Sequence, residues 1–245
     1  MDKLTGIHAV KEALQAGRPI EHIFVAKGRQ DTRAEDIVQL ARRNGIPVRF
    51  EERAQLDRIA GTRDHQGVLA IAAARAASTL DDILAKANEE KGKPGLIVLL
   101  DGVEDPHNLG AIVRTALAAG AHGVVIPERR AAGLTDTVAR ASAGALAHLP
   151  VAKVTNLART MEELKEAGYW LVGLDERADK NYTEIDYTSP TGIVMGGEDG
   201  MHDLARKRCD FLVSLPTGGP VKSLNVSVAA GIVLFEALRQ RRDRQ

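Results

Sequence analysis

One cysteine, Cys209, stands in 245 residues. A lone thiol cannot form an intrachain disulfide, which fits a reducing compartment. Between Arg208 and Asp210 it reads as a buried structural group. Aromatic residues make up only 3% of the chain, and the first 76 residues hold just Phe24 and Phe50, in the strand-like contexts HIFVA and PVRF. A stacking platform for single-stranded nucleic acid is therefore not expected there. Charge of one sign is missing too: the formal net charge is zero. Any surface for a polyanion must be a local patch. The opening MDKLTGIHAVKEALQAG lacks the apolar core of a signal peptide, and no run approaches membrane-spanning length. A soluble, cytoplasmic protein with neither a metal ion nor a membrane as partner is expected.

What is present is an ordinary apolar content, 44%, on a chain long enough for one large domain or two modest ones. Residues 1–75 mix helix and strand signals. Thr32-Arg-Ala-Glu35 has capping-box spacing ahead of Ile37, Leu40 and Ala41, and Asn44-Gly45 ends that helix. Strands are expected at 23–26, 48–50 and 68–72. This small α/β unit carries 13 Lys and Arg against 10 Asp and Glu, a mild local excess. Residues 76–94 change to small and charged types, ending near Gly-Lys-Pro-Gly, and read as a linker with room for one short helix.

Residues 95–245 read as an α/β domain with a parallel sheet. LIVLLDG is a continuous apolar run, as expected of a strand buried on both faces. The next helix puts Leu109, Ile112, Val113, Ala116 and Leu117 on one stripe, and Gly120 ends it. Strands follow at 123–126, 151–154, 169–175, 192–196 and 211–216, and helices at 135–149, 156–168, 203–210 and 226–241. The last helix is apolar around most of its circumference until Glu236, so it needs burial on more than one side. Its basic end (Arg239, Arg241, Arg242, Arg244) reads as a solvated terminus.

LPTGGPVKSLNVSVAAGIVLFE (215–236) sets glycines, a lysine, two serines and an asparagine between apolar runs. A nucleoside triphosphate loop is excluded, because Val221 and not glycine precedes Lys222. No G-x-G-x-x-G joins a strand to a helix, and the acidic glycine-rich loop of common Rossmann-type methyltransferases is missing. Two more polar loops end strands of the same domain. One is DGVEDPHNLGAIVRTA (101–116), with Asn108 placed to cap the helix and Arg114 off its apolar stripe. The other is GGEDGM (196–201), where Glu198 follows two glycines. Ligands of open α/β sheets sit beyond the carboxyl ends of strands, so the three loops together make a candidate pocket.

In that order and distance, N-x-G-x-x-x-R (Asn108, Gly110, Arg114), G-x-E (Gly196, Glu198) and S-L-N-V-S-x-A (Ser223 to Ala229) resemble the three motifs of the SpoU branch of SPOUT RNA methyltransferases. The resemblance spans the whole chain. It implies a deep trefoil knot at the C-terminal end and S-adenosylmethionine as cofactor. Backbone around Gly196, Leu215 and Leu224 would cradle that cofactor, with Gly218 and Gly219 admitting close approach. Residues 1–75 resemble the L30e-like substrate-binding domain found ahead of such catalytic domains. DGVEDPHNLGAIVRTA and VTNLARTM (154–161) are most similar to members that 2′-O-methylate a guanosine in the peptidyl-transferase P-loop of large-subunit ribosomal RNA. Gly6, His8 and HQGV (65–68) point the same way by resemblance. A homodimer packed through the last helix is also implied.

The family pattern gives deprotonation of the ribose hydroxyl to Arg114, assisted by a substrate phosphate. A guanidinium normally stays protonated, and an Arg114 that only clamps the phosphate has the same sequence. Asn108 positions Arg114 or the ribose, Glu198 orients neighbouring Asn and Arg groups, and Ser223 and Asn225 shape the pocket. Each also has an ordinary reading: surface arginine, helix cap, loop glutamate, caps of the last helix. His107 has the right chemistry for a general base, but the resemblance gives it no such role. The second motif departs from the family, since Asp199 alone separates Glu198 from Gly200, and His202 and Asp203 stand where basic residues are common. Two alternatives stay open: action on transfer RNA or another ribosomal site, and a knotted RNA-binding dimer without catalysis.

Overall fold

The computed structural model describes residues 2–28, 31–72, 78–90, 92–220 and 223–243. The chain divides into two units, Met1–Ala76 and Ala77–Gln245.

The first unit runs β1 (Asp2–Thr5), α1 (Ile7–Gln15), β2 (Ile20–Ala26), α2 (Thr32–Arg43), β3 (Val48–Glu51), α3 (Arg53–Ala60), β4 (Val68–Ala72). Its sheet has the order β1-β4-β2-β3, with β4 antiparallel to both neighbours and β2 parallel to β3. One face buries Ile23 and Val25 under Val10, Leu14, Ile37 and Ala41 of α1 and α2. The other buries Phe24 and Leu69 under Leu56 of α3. The helix over Ile37 starts differently from the expected capping box: Asp31 caps it, accepting the Ala34 N–H. Buried His65 fixes the turn before β4. Its Nε2 lies 2.7 Å from Asp57 Oδ1, and its Nδ1 accepts the Gly67 N–H.

The second unit begins with α4 (Leu80–Glu89), inside the segment read as linker; its Ile83 is buried in the core. There follow β5 (Leu96–Asp101), α5 (Pro106–Ala118), β6 (Gly123–Pro127), α6 (Asp136–Ala141), β7 (Val151–Val154), α7 (Leu157–Glu166), β8 (Trp170–Leu174), β9 (Lys180–Asn181), β10 (Thr191–Gly196), α8 (Asp203–Arg208), β11 (Phe211–Ser214) and α9 (Val226–Arg242). The sheet order is β7-β6-β5-β10-β8-β11-β9, and every pairing is parallel. Side chains alternate along each strand, so both faces need cover. Val98, Leu100, Val172 and Ile193 pack under α5 and α9, through Ile112, Val113, Val233 and Leu234. Ile97, Leu99, Leu171 and Val194 pack under α4, α7 and α8, through Ile83, Met161, Leu164 and Ala205.

Two expected helix features change. The helix over 135–149 is only α6 plus a 3-10 turn, Ala145–Ala147. Ala143 and Gly144 take left-handed backbone, φ 47° and 92°, and break the ladder. The end of α9 is not freely solvated: Arg241 is largely buried and donates to the carbonyls of Tyr187, Pro94, Gly95 and Ser189. Burial pulls its pKa down to about 10. Arg239 pairs with Glu236 and Asp243, and Arg244 lies outside the described residues.

Candidate functional site

At the carboxyl ends of β5, β8, β10 and β11 lies a cavity of about 550 Å³, a size suited to a small organic ligand. Asn108, Gly196, Glu198, Leu215, Ser223, Leu224 and Asn225 all line it, so the three polar loops do converge. Met195, Val213, Val226 and Ala229 supply apolar surface. Arg114 and His107 do not line the cavity. Arg114 is exposed on α5, past Asn108. His107 is exposed in the first turn of that helix, its N–H given to Asp105 Oδ1.

Asn108 is not the N-cap. Asp105 caps α5, with Pro106 in the first turn, where its missing N–H costs nothing. This frees the Asn108 amide, whose Oδ1 accepts from Asn225 Nδ2 at 2.9 Å. Asn225 is itself the N-cap of α9, with Oδ1 accepting the N–H groups of Ser227 and Val228. One side chain thus caps the last helix and ties the first motif to the third. Gly110 is needed for packing: a Cβ there would collide with Ala141 of α6.

The loop after β10 is built from main chain in contact with main chain. A Cβ on Gly197 would run into the Gly102 carbonyl, and one on Gly196 into the Gly200–Met201 backbone. The Gly197 N–H donates to Asp101 O, and the Gly200 N–H back to Gly197 O. With Gly200 at φ 81°, residues 197–200 make a tight turn, the physical form of the shortened second motif. Glu198 projects from it, exposed, and among the described residues it makes no hydrogen bond or ion pair.

The wall after β11 is the opposite. Among the described residues, the main chain of Leu215 to Gly219, Ser223 and Leu224 takes part in no backbone hydrogen bond, and a Cβ on Gly218 or Gly219 would meet nothing. These uncommitted N–H and C=O groups are available to a ligand. Val221 and Lys222 lie outside the described residues.

A fourth loop, after β8, was missed in the sequence: Leu174, Asp175, Glu176 and Arg177 also line the cavity. Asp175 is almost buried and receives Arg177 through two nitrogens and Arg206 of α8 through a third. Those guanidinium bonds, Arg177 first, hold its carboxyl down at about 2. The only signal was an acid beside an arginine just after a strand. Cys209 Sγ contacts the Ala205 carbonyl, and burial pushes its pKa up to about 12, so it is inert. Among the described residues no three His, Cys, Asp or Glu are grouped to hold a metal ion.

A parallel sheet with a half-apolar cavity at its carboxyl edge, walled by free main chain, defines a small-ligand α/β protein. The profile of the SpoU rRNA Methylase family matches residues 95–235, and one described as RNA 2′-O ribose methyltransferase substrate binding matches residues 3–78. A Bacillus subtilis protein assigned to the TrmH family of tRNA/rRNA methyltransferases, YacO, is 48% identical over 98% of this chain and 96% of its own. The 23S rRNA (guanosine-2′-O-)-methyltransferase RlmB of Ralstonia nicotianae is 45% identical over 97% of this chain and 95% of its own. Among solved structures, the SpoU methyltransferase AviRb of Streptomyces viridochromogenes with AdoMet superposes with a TM-score of 0.83 at 29% identity, covering 98% of this chain and 90% of its own. The chain belongs to the SpoU rRNA methylase family and is a methyltransferase.

Proposed function

We propose that this protein transfers a methyl group from S-adenosylmethionine to the 2′-hydroxyl of a guanosine ribose in large-subunit ribosomal RNA. The observation that carries it is the convergence of Asn108, Glu198 and Asn225 on one cavity, in a chain 45% identical to a guanosine-2′-O-methyltransferase of 23S rRNA. The cavity suits the cofactor. Its volume is in range, Leu215 and Leu224 offer apolar surface, and the uncommitted main chain beside them can pair with a purine edge. When bound, the cofactor supplies a methyl group already activated as a sulfonium. The chain's own task is alignment of the ribose oxygen and removal of its proton.

In this reading Gly196, Leu215 and Leu224 cradle the cofactor, and the Asn108–Asn225 pair fixes the two loops that face the ribose. Ser223 shapes the same wall. Glu198, which has no partner among the described residues, is left to meet the substrate. Arg114 clamps the phosphate beside the reacting ribose and stabilises the charge that would develop as the hydroxyl proton passes by way of that phosphate to water. Residues 1–75 form an L30e-like domain that grips folded RNA by shape and phosphate contacts. Residues 76–94 lead from it into a catalytic domain, 95–245, whose core α4 joins, and that domain carries a deep trefoil knot. Support for the knot comes from strand order, since β10 inserts between β5 and β8. Homodimerisation through α9 belongs to the same proposal, supported by the exposure of Val228 and Phe235, about half of each being open. So does residence in the cytoplasm; no helix among the described residues is long and apolar enough to cross a membrane.

One observation favours a second reading, an RNA-binding dimer without catalysis: Arg114 stands outside the cavity lining. Transfer of labelled methyl to unmodified large-subunit ribosomal RNA, with transfer RNA alongside and the product mapped, separates the two. A 2′-O-methylguanosine in the P-loop is expected. Label in transfer RNA alone overturns the substrate, and cofactor binding without any transfer supports the second reading.

A further inference from the structure

Arg130, in the loop after β6, is exposed and takes a left-handed backbone, φ 55°, unusual for a residue with a long side chain. Among the described residues one contact holds its guanidinium: Nη1 lies 3.2 Å from His202 Nε2. The imidazole is in turn fixed by Asp101, which ends β5. Asp101 Oδ2 accepts the His202 N–H at 2.7 Å, and Oδ1 faces His202 Nδ1 at 2.9 Å. An ionised carboxylate only accepts, so Nδ1 carries a proton; a guanidinium only donates, so the Nε2 that faces Arg130 presents its lone pair.

The consequence is electrostatic. Arg159, Arg177, Arg206, Arg208 and Arg239 of the same unit each pair with a carboxylate. Among the described residues Arg130 pairs with none. It is oriented by a neutral ring, which leaves its charge and most of its N–H fork uncommitted. Asp101 therefore transmits position to Arg130 without cancelling its charge, which a direct ion pair would do.

Location gives this arrangement a use. His202 follows Met201, which lines the cavity, and the Arg130 loop is tied beside the first-motif loop by the Ala132 N–H donated to Val103 O. A fixed, uncompensated guanidinium in such a place is built to receive an anion. We propose that Arg130 binds a backbone phosphate of the RNA strand next to the cavity, with His202 its positioning residue. The assignment rests on the RNA-methyltransferase reading given above, and it names a contact that the three sequence motifs do not contain.

The test is binding of an unmodified, in vitro transcribed fragment of large-subunit ribosomal RNA across a range of salt. Wild-type protein is compared with Arg130→Gln, His202→Phe, His202→Gln and the double variant Arg130→Gln/His202→Phe, and cofactor titrations are run on each. Arg130→Gln lowers RNA affinity roughly tenfold, the order expected for one charged hydrogen bond. It also flattens the slope of log K against log salt by about 1, the share of one phosphate contact. His202→Phe moves both quantities the same way, and His202→Gln, whose Oε1 can still accept from Arg130, recovers part of the loss. The double variant is no worse than Arg130→Gln alone, because the two act as one unit. Cofactor affinity is unchanged throughout.

An unchanged affinity and slope in Arg130→Gln, with steep salt dependence in the wild type, overturns this assignment alone. Weakened cofactor binding in Arg130→Gln overturns it too, by showing general damage to the loop. Additive losses in the double variant remove the positioning role of His202. Wild-type RNA binding that ignores salt removes both this assignment and the reading beneath it.

Discussion

The two walls of the cavity are both rich in glycine, and they use it for opposite purposes. After β10, Gly196 and Gly197 are required because other main chain presses against them, at Gly200–Met201 and at Gly102. After β11, a Cβ on Gly218 or Gly219 would meet nothing among the described residues, and the backbone around them is uncommitted there. One wall is a finished part that the fold pins, through the Gly197 N–H on Asp101 O and the His202 N–H on the Asp101 carboxylate. The other offers its hydrogen bonds to whatever arrives. A glycine-rich loop at a strand end is thus not one kind of object, and its packing decides which kind it is.

The contrast can be broken most severely on the pinned side. Gly197→Ala drives a methyl group into the Gly102 carbonyl, and relief requires parting the ends of β5 and β10. A loss of about 2–3 kcal/mol is expected, read as a Tm lower by several degrees with cofactor binding gone. Gly218→Ala on the open side should leave the Tm within about 1 °C, since such a surface change costs under ~0.5 kcal/mol; only cofactor affinity falls. Equal thermal losses in the two variants would show that both walls are pinned.

Next in size is Asn225, where the walls meet. Asn225→Ala removes a cap and the Asn108 bond together and should cost about 1–2 kcal/mol. Asn225→Asp keeps the capping oxygen and loses the donor to Asn108, so it should retain stability while activity drops. An equally unstable Asp variant would mean that the cap is not what Asn225 contributes. Among polar residues near the loop, Arg114→Ala is expected to abolish transfer and His107→Ala to retain most of it; the reverse result would make His107, not Arg114, the residue on which transfer depends.

The smallest effect is the acid one. Arg177 and then Arg206 hold the Asp175 carboxyl at about 2, below the usual ~3.9 of an unfolded chain. A depressed carboxylate stabilises the fold fully above the unfolded value and loses that contribution as pH falls through the folded one. The wild type should therefore lose stability over roughly pH 4 to 2, and Asp175→Asn should show a shallower decline there by circular dichroism. An unchanged acid profile would count the Asp175 cluster as exposed and weak.

Much of this was legible beforehand where burial writes a periodic pattern. LIVLLD reads as a strand closed on both faces, and the stripe from Leu109 to Ala116 reads as one helix face; both are as expected. Convergence of the Asn108, Glu198 and Asn225 loops followed from strand polarity alone. The failures share a cause, since local spacing cannot see a distant neighbour. ASAGALA has helical composition, yet the chain turns at Ala143 and Gly144. Asn108 has the chemistry of a cap, but Asp105 followed by Pro106 begins the helix earlier. Asp175 joins the site because β8 ends beside β11, a pairing no window of residues displays. His202 looked like a lost basic contact; its partner Arg130 is 72 residues away.

Arg241 carries a consequence for how the second unit comes together. Its guanidinium closes onto the carbonyl of Pro94, 147 residues earlier in the chain. The helix it terminates also begins at Asn225, whose amide reaches back 117 residues to Asn108. The first strand and the last helix are therefore latched at both ends of the sheet by contacts of very long sequence separation, which are slow to form. The ligand cavity is accordingly complete only when α9 is docked, since Asn225 begins that helix and lines the wall facing α5.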